Sequence, residues 1–335
     1  MLRSAAQRRV SKHGPQASDG SAVFAYIIRR IIYTIPVMAF VAFFVFSLLY
    51  FTPGDPAAVI AGDQATVADI ERIRAQLGLD RPFHERFGSW VWAILHGNLG
   101  VSIFTNLPVS EMISQRIEPT VALSTVTIIF AVLFAVPLGV LAAWRAGRWI
   151  DRLVMVLAVA GFSVPVFVVG YILIFVFALE YEWLPVQGYV SPTTDLGDFF
   201  AHMVLPAVAL GLIQSALIAR ITRASVLEVL SQDYIRTARA KGLAEDKVLL
   251  AHALKNAAVP IVTIIGISVA LLIGGVVVTE SVFAIPGLGR LTVDAILRRD
   301  YPIIQGVILL FSLVYVVLNL LVDLSYTLFD PRIRY

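Results

Sequence analysis

The stretch AAVPIVTIIGISVALLIGGVVVT, residues 257–279, contains no Asp, Glu, Lys, Arg or His. A helix of about 20 apolar residues crosses a hydrocarbon core, and a segment this long and this empty of charge reads as one. Working outward, five further stretches share the pattern: 31–51, 120–143, 153–179, 203–219 and 303–329. The one charged residue among them is Asp323, close to an end. A central Asp, Lys or Arg costs roughly 2.5–3.5 kcal/mol on insertion scales, so such emptiness is selected chemistry. The whole chain agrees: of 335 residues 59% are hydrophobic and 15% charged, with a mean hydropathy of +0.84. A soluble domain cannot hide that much apolar surface, and the same figures exclude disordered, collagen-like and disulfide-scaffold classes. The sequence predicts an all-α integral membrane protein with six transmembrane helices.

Orientation follows from the Lys and Arg residues. Eighteen of 26 fall on one side: six before the first span, three between spans two and three, seven between spans four and five, and Arg332 and Arg334 at the end. Five of the other eight lie in one long loop, which counts little toward topology. Both termini are therefore expected to be cytoplasmic. The first span is too long for a signal-peptide core and lacks a small-x-small cleavage pattern. Small residues recur at four-residue spacing in Gly139/Ala143/Gly147 and Gly266/Ala270/Gly274, which favours close helix contact. Pro165, after Gly161-Phe162-Ser163, is a candidate bend.

Reactive chemistry is nearly absent. No cysteine exists, and none of the four lysines precedes Ser or Thr, so no phosphate-cradling G-x-x-x-x-G-K-[ST] loop is present. Gly287-Leu288-Gly289 lacks the third glycine of a dinucleotide fingerprint and reads as an external turn after Pro286. The five histidines have no metal-ligand spacing. Within spans, ion coupling would have to use Glu280 or Asp323, and neither is near a midplane. With no catalytic residue to nominate, the chain is expected to transport rather than to catalyse, with no cofactor or metal of its own and no nucleic-acid partner. An ion-coupled secondary transporter of a small polar solute is the alternative.

The long external segment shows order of its own. Val67, Ile70, Ile73 and Leu77 recur at helical spacing, as do Phe83, Phe87, Trp90 and Ile94. Two amphipathic helices should cap the outer mouth, as a packing lid or as a contact surface for a substrate-binding protein.

The longest cytoplasmic loop, 220–256, carries DYIRTARAKG at 233–242 and HALKN at 252–256. Ser231 or Asp233 can cap a short helix, basic residues suit its C-terminus, and Gly242 is placed to end it in the left-handed conformation. Two short helices meeting at a glycine corner would protrude as a knuckle, the second running toward the membrane.

DYIRTARAKG closely resembles the permease signature of ABC importers, in the dipeptide/oligopeptide/nickel family. Of the generic E-A-A-x-x-x-G form only Ala238 and Gly242 match, and Arg236 and Thr237 replace the usual Glu and Ala. The family's own Y-x-R-T-A-R-A-K-G is matched throughout. TPGDP (52–56), LGLD (77–80), GNLG (97–100), PGLGR (286–290), RDYP (299–302) and DPRIR (330–334) extend the likeness over roughly 27–334. The resemblance implies a type I ABC importer permease fold in the bacterial cytoplasmic (inner) membrane. It also implies a homologous second permease subunit, two ATPase subunits that bind ATP and Mg, and a periplasmic substrate-binding protein, all in membrane lipid. ATPase-coupling roles would fall on Asp233, Tyr234, Arg236, Thr237, Ala238, Arg239, Lys241 and Gly242. Arg236 and Arg239 would be rim contacts, Ala238 the close-packing face and Gly242 the bend. The layout expected is a disordered cytoplasmic tail (1–25), a first span (26–51), a long periplasmic loop (52–119) and a five-helix core (120–335). The cargo class implied is di- or oligopeptides or peptide-like solutes.

Overall fold

The computed structural model describes residues 19–51, 55–62, 65–76 and 78–329. Residues 1–18 of the expected tail and the terminal DPRIR motif lie outside the described residues, as do Leu77 and residues 52–54 of TPGDP. The described chain is helical. In order come α1 (Asp19–Phe51), α2 (Pro56–Ala61), α3 (Val67–Gln76), α4 (Phe83–Leu95), α5 (Val109–Trp144), α6 (Trp149–Ser163) and α7 (Val166–Leu173). A π-helical turn, Ile174–Glu180, continues α7. Then follow α8 (Leu196–Leu230), α9 (Asp233–Ala240), α10 (Glu245–Lys247), a second π segment (Val248–Leu254), α11 (Ala258–Val282), α12 (Leu288–Arg298) and α13 (Tyr301–Phe329).

Four of these, α5, α8, α11 and α13, are long and apolar enough to cross a membrane. The predicted third span is broken rather than continuous. Its halves, α6 and α7 with the π turn, meet at 101°. The cause is local: Pro165 brings no N–H, and it forces Val164 before it into extended backbone (φ −93°, ψ 125°). The first span appears as an apolar section, Ile32–Leu48, inside the longer α1. That helix starts at Asp19, so residues 19–25, expected in the tail, are helical; the Ala22-Val23-Phe24-Ala25 run simply continues the apolar helix.

The core forms where α5, α8 and α11 pack together. Leu123, Met203, Leu210, Leu272 and Val276 are buried in one cluster. Burying a side chain of this size is worth about 1.5–3 kcal/mol relative to water, though lipid is the competing solvent on the outer faces. Close approach explains Gly139: a Cβ there would lie 2.7 Å from the Ala219 carbonyl oxygen, so α5 and α8 approach backbone to backbone. The predicted small-residue stripes hold only in part. Gly147 lies in a turn, Gly274 faces open space, and its neighbour Gly275 meets Leu210 instead.

Residues 220–230, expected in the cytoplasmic loop, continue α8 as far as Leu230. Arg223 can sit on that helix because its guanidinium grips Asp151 of α6 with two hydrogen bonds, of 2.5 and 2.7 Å. Asp151, buried, also accepts from the Gly147 N–H at 2.9 Å.

In the segment between the first two spans, α3 and α4 form where the periodicity placed them. Phe83, Phe87 and Trp90 of α4 pack edge-on or tilted against Phe43 and Phe46 of α1 at centroid separations of 5.1–5.8 Å. Val67 is the exception to the predicted apolar face, being exposed at the start of α3. The short α2 was not expected; Asp55 caps it, accepting from the Ala57 N–H at 3.1 Å.

Candidate functional site

The knuckle is built by α9, the turn after it and the π segment. Its N-cap position is Gln232 (φ −72°, ψ 149°), which makes no side-chain cap. Neither expected cap serves: the Ser231 hydroxyl donates to the Glu228 carbonyl at the end of α8, and Asp233 is already the first helical residue, where its charge suits the positive end. At the other end Gly242 is left-handed, φ +81°. The Gly242 N–H donates to Arg239 O (2.9 Å) and the Leu243 N–H to Ala238 O (3.3 Å). That pair of bonds is a Schellman closure, which satisfies the last carbonyls of α9 and turns the chain sharply.

α9 is anchored from below. Ile235 is fully buried, and α9 packs on the π segment, where Val248, Leu249 and Ala253 are buried. Ala253 in turn joins Ala143, Val226, Ala257 and Ile261 in a cluster that ties together the C-terminal ends of α5 and α8 and the start of α11. The helix is therefore not a free loop. Through Ile235 and the π segment α9 is packed onto three spans.

The outward surface holds most of the predicted residues. Asp233, Tyr234, Arg236, Thr237, Arg239, Lys241 and Gly242 are exposed, while Ala238, one turn after Ile235, is half-buried. Arg236 pairs only within its own helix, with Asp233 at 3.4 Å. Arg239 does more than sit on a rim: Nε and Nη2 donate to the two oxygens of Glu245 at 2.7 and 3.3 Å, bridging the glycine corner. Sequence reasoning missed Glu245. The available sign was an acid three residues beyond the glycine, on the arm facing the basic end of α9.

At the C-terminal end of α11 lies a second polar construction. Glu280 is fully buried. Thr120 Oγ1 of α5 donates to Glu280 Oε1 (2.6 Å) and accepts from the Leu288 N–H (2.8 Å), while the Arg290 N–H donates to Glu280 Oε2 (3.0 Å). A Cβ at Gly287 would strike this carboxylate, and one at Gly289 would strike the Val277 backbone and crowd the carboxylate at 3.0 Å. The Gly-Leu-Gly turn thus wraps an acid and opens α12. Nearby, Glu118 Oε1 accepts from Tyr189 (2.8 Å) and Ser191 (2.6 Å), holding the 181–195 loop to α5. Asn319 of α13 donates within its own helix, to Tyr315 O at 2.8 Å.

Comparison with known proteins gives a consistent answer. Residues 135–335 match the family model described as binding-protein-dependent transport system inner membrane component, and residues 23–124 match the model of its N-terminal region. The probable peptide ABC transporter permease protein y4tP of Sinorhizobium fredii is 56% identical over 310 residues, 92% of this chain and 99% of the relative. The glutathione transport system permease protein GsiC of Escherichia coli K12 is 44% identical over the same shares. Among solved structures, the inward-facing MetNI methionine ABC transporter superposes with a TM-score of 0.56 at 18% identity, covering 66% of this chain and 97% of that one. This last likeness speaks to fold alone.

Proposed function

This chain belongs to the binding-protein-dependent transport system inner membrane component family, and from that membership we propose that it moves short peptides or peptide-like solutes such as glutathione inward through a path shared with a second, homologous permease. It is a membrane permease subunit of an ABC importer and not an enzyme. ATP and Mg act on two partner ATPase subunits, and an extracytoplasmic binding protein delivers the cargo. Both termini lie in the cytoplasm of a bacterial cell, whose inner membrane holds the complex.

The observation that carries the coupling role is the exposed α9 on its Schellman corner, rooted through buried Ile235 in the ends of three spans. Asp233, Tyr234, Arg236, Thr237, Arg239 and Lys241 offer the ATPase a charged and aromatic rim. Ala238 keeps the helix narrow against its own base, and Gly242 sets the angle between arms. A motor gripping α9 turns the bundle as a rigid body, which is alternating access by rocking. The absence of a Walker loop in the sequence fits a motor on another chain.

The test is reconstitution of this permease with its partner permease, ATPases and binding protein in proteoliposomes. Peptide accumulation should require ATP at the cytoplasmic face and survive collapse of ion gradients. Accumulation that follows the gradient and ignores ATP would establish the ion-coupled alternative instead.

A further inference from the structure

We propose that a half-enclosed cavity of about 810 Å³ under the external cap is a binding site for a short peptide with a free carboxylate, a waiting site off the central path. It lies between the outer end of α1, the turn before α4, α4 itself, the 99–106 loop and the first turn of α13. Its volume is that of a small-molecule site.

Three observations carry the assignment. Gln305 of α13 lines the cavity and is only 8% exposed. Its amide is a ready partner for a peptide bond, which has both a donor and an acceptor. Second, a guanidinium group borders the same space: Arg81 on the rim beside Asp80, while Arg86, 7% exposed and lying over the Phe46 ring at 5.6 Å, forms part of the wall. Arginine is suited to a carboxylate and Asp80 to an ammonium, the two ends of a peptide. Phe46 and Trp90 supply apolar wall for a side chain.

Third, the wall is pre-formed. Buried Asp300 accepts from Ser102 Oγ at 2.5 Å and from the Ile103 N–H at 3.4 Å, and the Val109 N–H donates to Gly100 O at 3.0 Å. These bonds pin the 99–106 loop to the starts of α13 and α5. Ligand entry therefore requires little reordering, which favours affinity.

The proposal rests on the peptide reading above, and its test separates the two. The assembled transporter without its binding protein is placed in nanodiscs and titrated by calorimetry with trialanine and with trialanine amide. Trialanine should bind saturably at millimolar or lower concentration, and the amide about three- to tenfold more weakly, the size expected for a lost charge-assisted bond. Gln305→Leu should weaken trialanine binding by a similar factor while leaving the Tm of the empty protein unchanged. A merely structural Gln305 would lower that Tm. Arg81→Gln should weaken binding with Tm unchanged.

Absence of saturable binding, or binding that Gln305→Leu leaves intact, overturns the site. So does native mass spectrometry that finds a phospholipid retained in the wild type and lost in Gln305→Leu. ATP-driven trialanine uptake with the binding protein present is measured in parallel. Uptake without the Gln305-dependent binding removes the pocket alone, whereas absence of both removes the peptide reading beneath it.

Discussion

The two ends of α11 are built on opposite plans. At its C-terminal end Glu280 is sealed in and tied to α5 and α12 by bonds of 2.6–3.0 Å, with two glycines close against the carboxylate. At its N-terminal end the helix is reached through a π segment, a left-handed glycine and an α9 whose polar face is open to water. One end is a knot and the other a lever. A buried, fully partnered polar network resists opening because each broken bond exposes another unpaired group. A surface helix on one buried anchor can be gripped and turned without disturbing the core. The difference teaches where force should enter this bundle and where it should be resisted.

The largest effect should come from untying the knot. Glu280→Ala leaves the Arg290 N–H and the Thr120 hydroxyl without their acceptor and opens a void, at a cost of about 3 kcal/mol. A clear fall in Tm, read by intrinsic fluorescence in detergent, is expected. Glu280→Gln keeps shape and one acceptor and should cost about 1 kcal/mol. Equal Tm values for wild type and Glu280→Ala would mean the C-terminal end is no knot at all.

At the lever the prediction inverts, with function lost and stability kept. Gly242→Pro cannot adopt φ +81° and lacks the N–H given to Arg239 O, so the two arms lose their angle. Nothing lies within 4 Å of a Cβ at this glycine, so Gly242→Ala meets only backbone strain of roughly 1–2 kcal/mol and should retain partial transport. Ala238→Asp puts a charge on the half-buried side of α9 and should also uncouple. In all three the near-normal Tm of the spans is the control, and peptide uptake per ATP hydrolysed is the readout. Normal coupling in Gly242→Pro would refute the lever.

Smaller still is the strut across that corner. The Arg239–Glu245 pair is 39% and 44% exposed, and exposed pairs contribute about 0.2–1 kcal/mol, so stability should barely move in Glu245→Arg. Uptake per ATP should fall, and the exchange Arg239→Glu with Glu245→Arg should restore it. If Arg239 served only as a rim contact to the ATPase, the exchange would fail to rescue.

What was legible in the sequence divides along the same line. The spans were, because a long run without charge is stable as a helix in lipid and would be left uncovered in water. Gly242 was, because a glycine after a basic helix end has one favoured geometry. The bend at Pro165 was visible as a residue but not as an angle, since the 101° depends on how α6 and α7 each pack. Arg223 looked like loop because its partner, Asp151, is 72 residues away in sequence. Thr120 and Glu280 are separated by 160 residues, and no periodicity links them. The π segments leave no mark in composition. Local rules disclosed the lever, and only the folded chain disclosed the knot.

The smallest effect lies in the outer cap, away from both ends of α11. Asp55 caps α2 and also takes a hydrogen bond from Arg74 of α3, and that guanidinium bond, ahead of the backbone bonds, holds its carboxyl below the usual range. A folded-state pKa below the unfolded value means the contribution is present above the ordinary Asp value of about 3.9 and is lost as pH falls through the lowered one. Hydrogen–deuterium exchange should therefore show α2 and α3 amides losing protection on acidification. Asp55→Asn should begin with weaker protection and lose less of it. The pair is solvent-exposed, so the spans should show no matching change, and identical acid profiles in wild type and Asp55→Asn would detach the cap's order from this carboxylate.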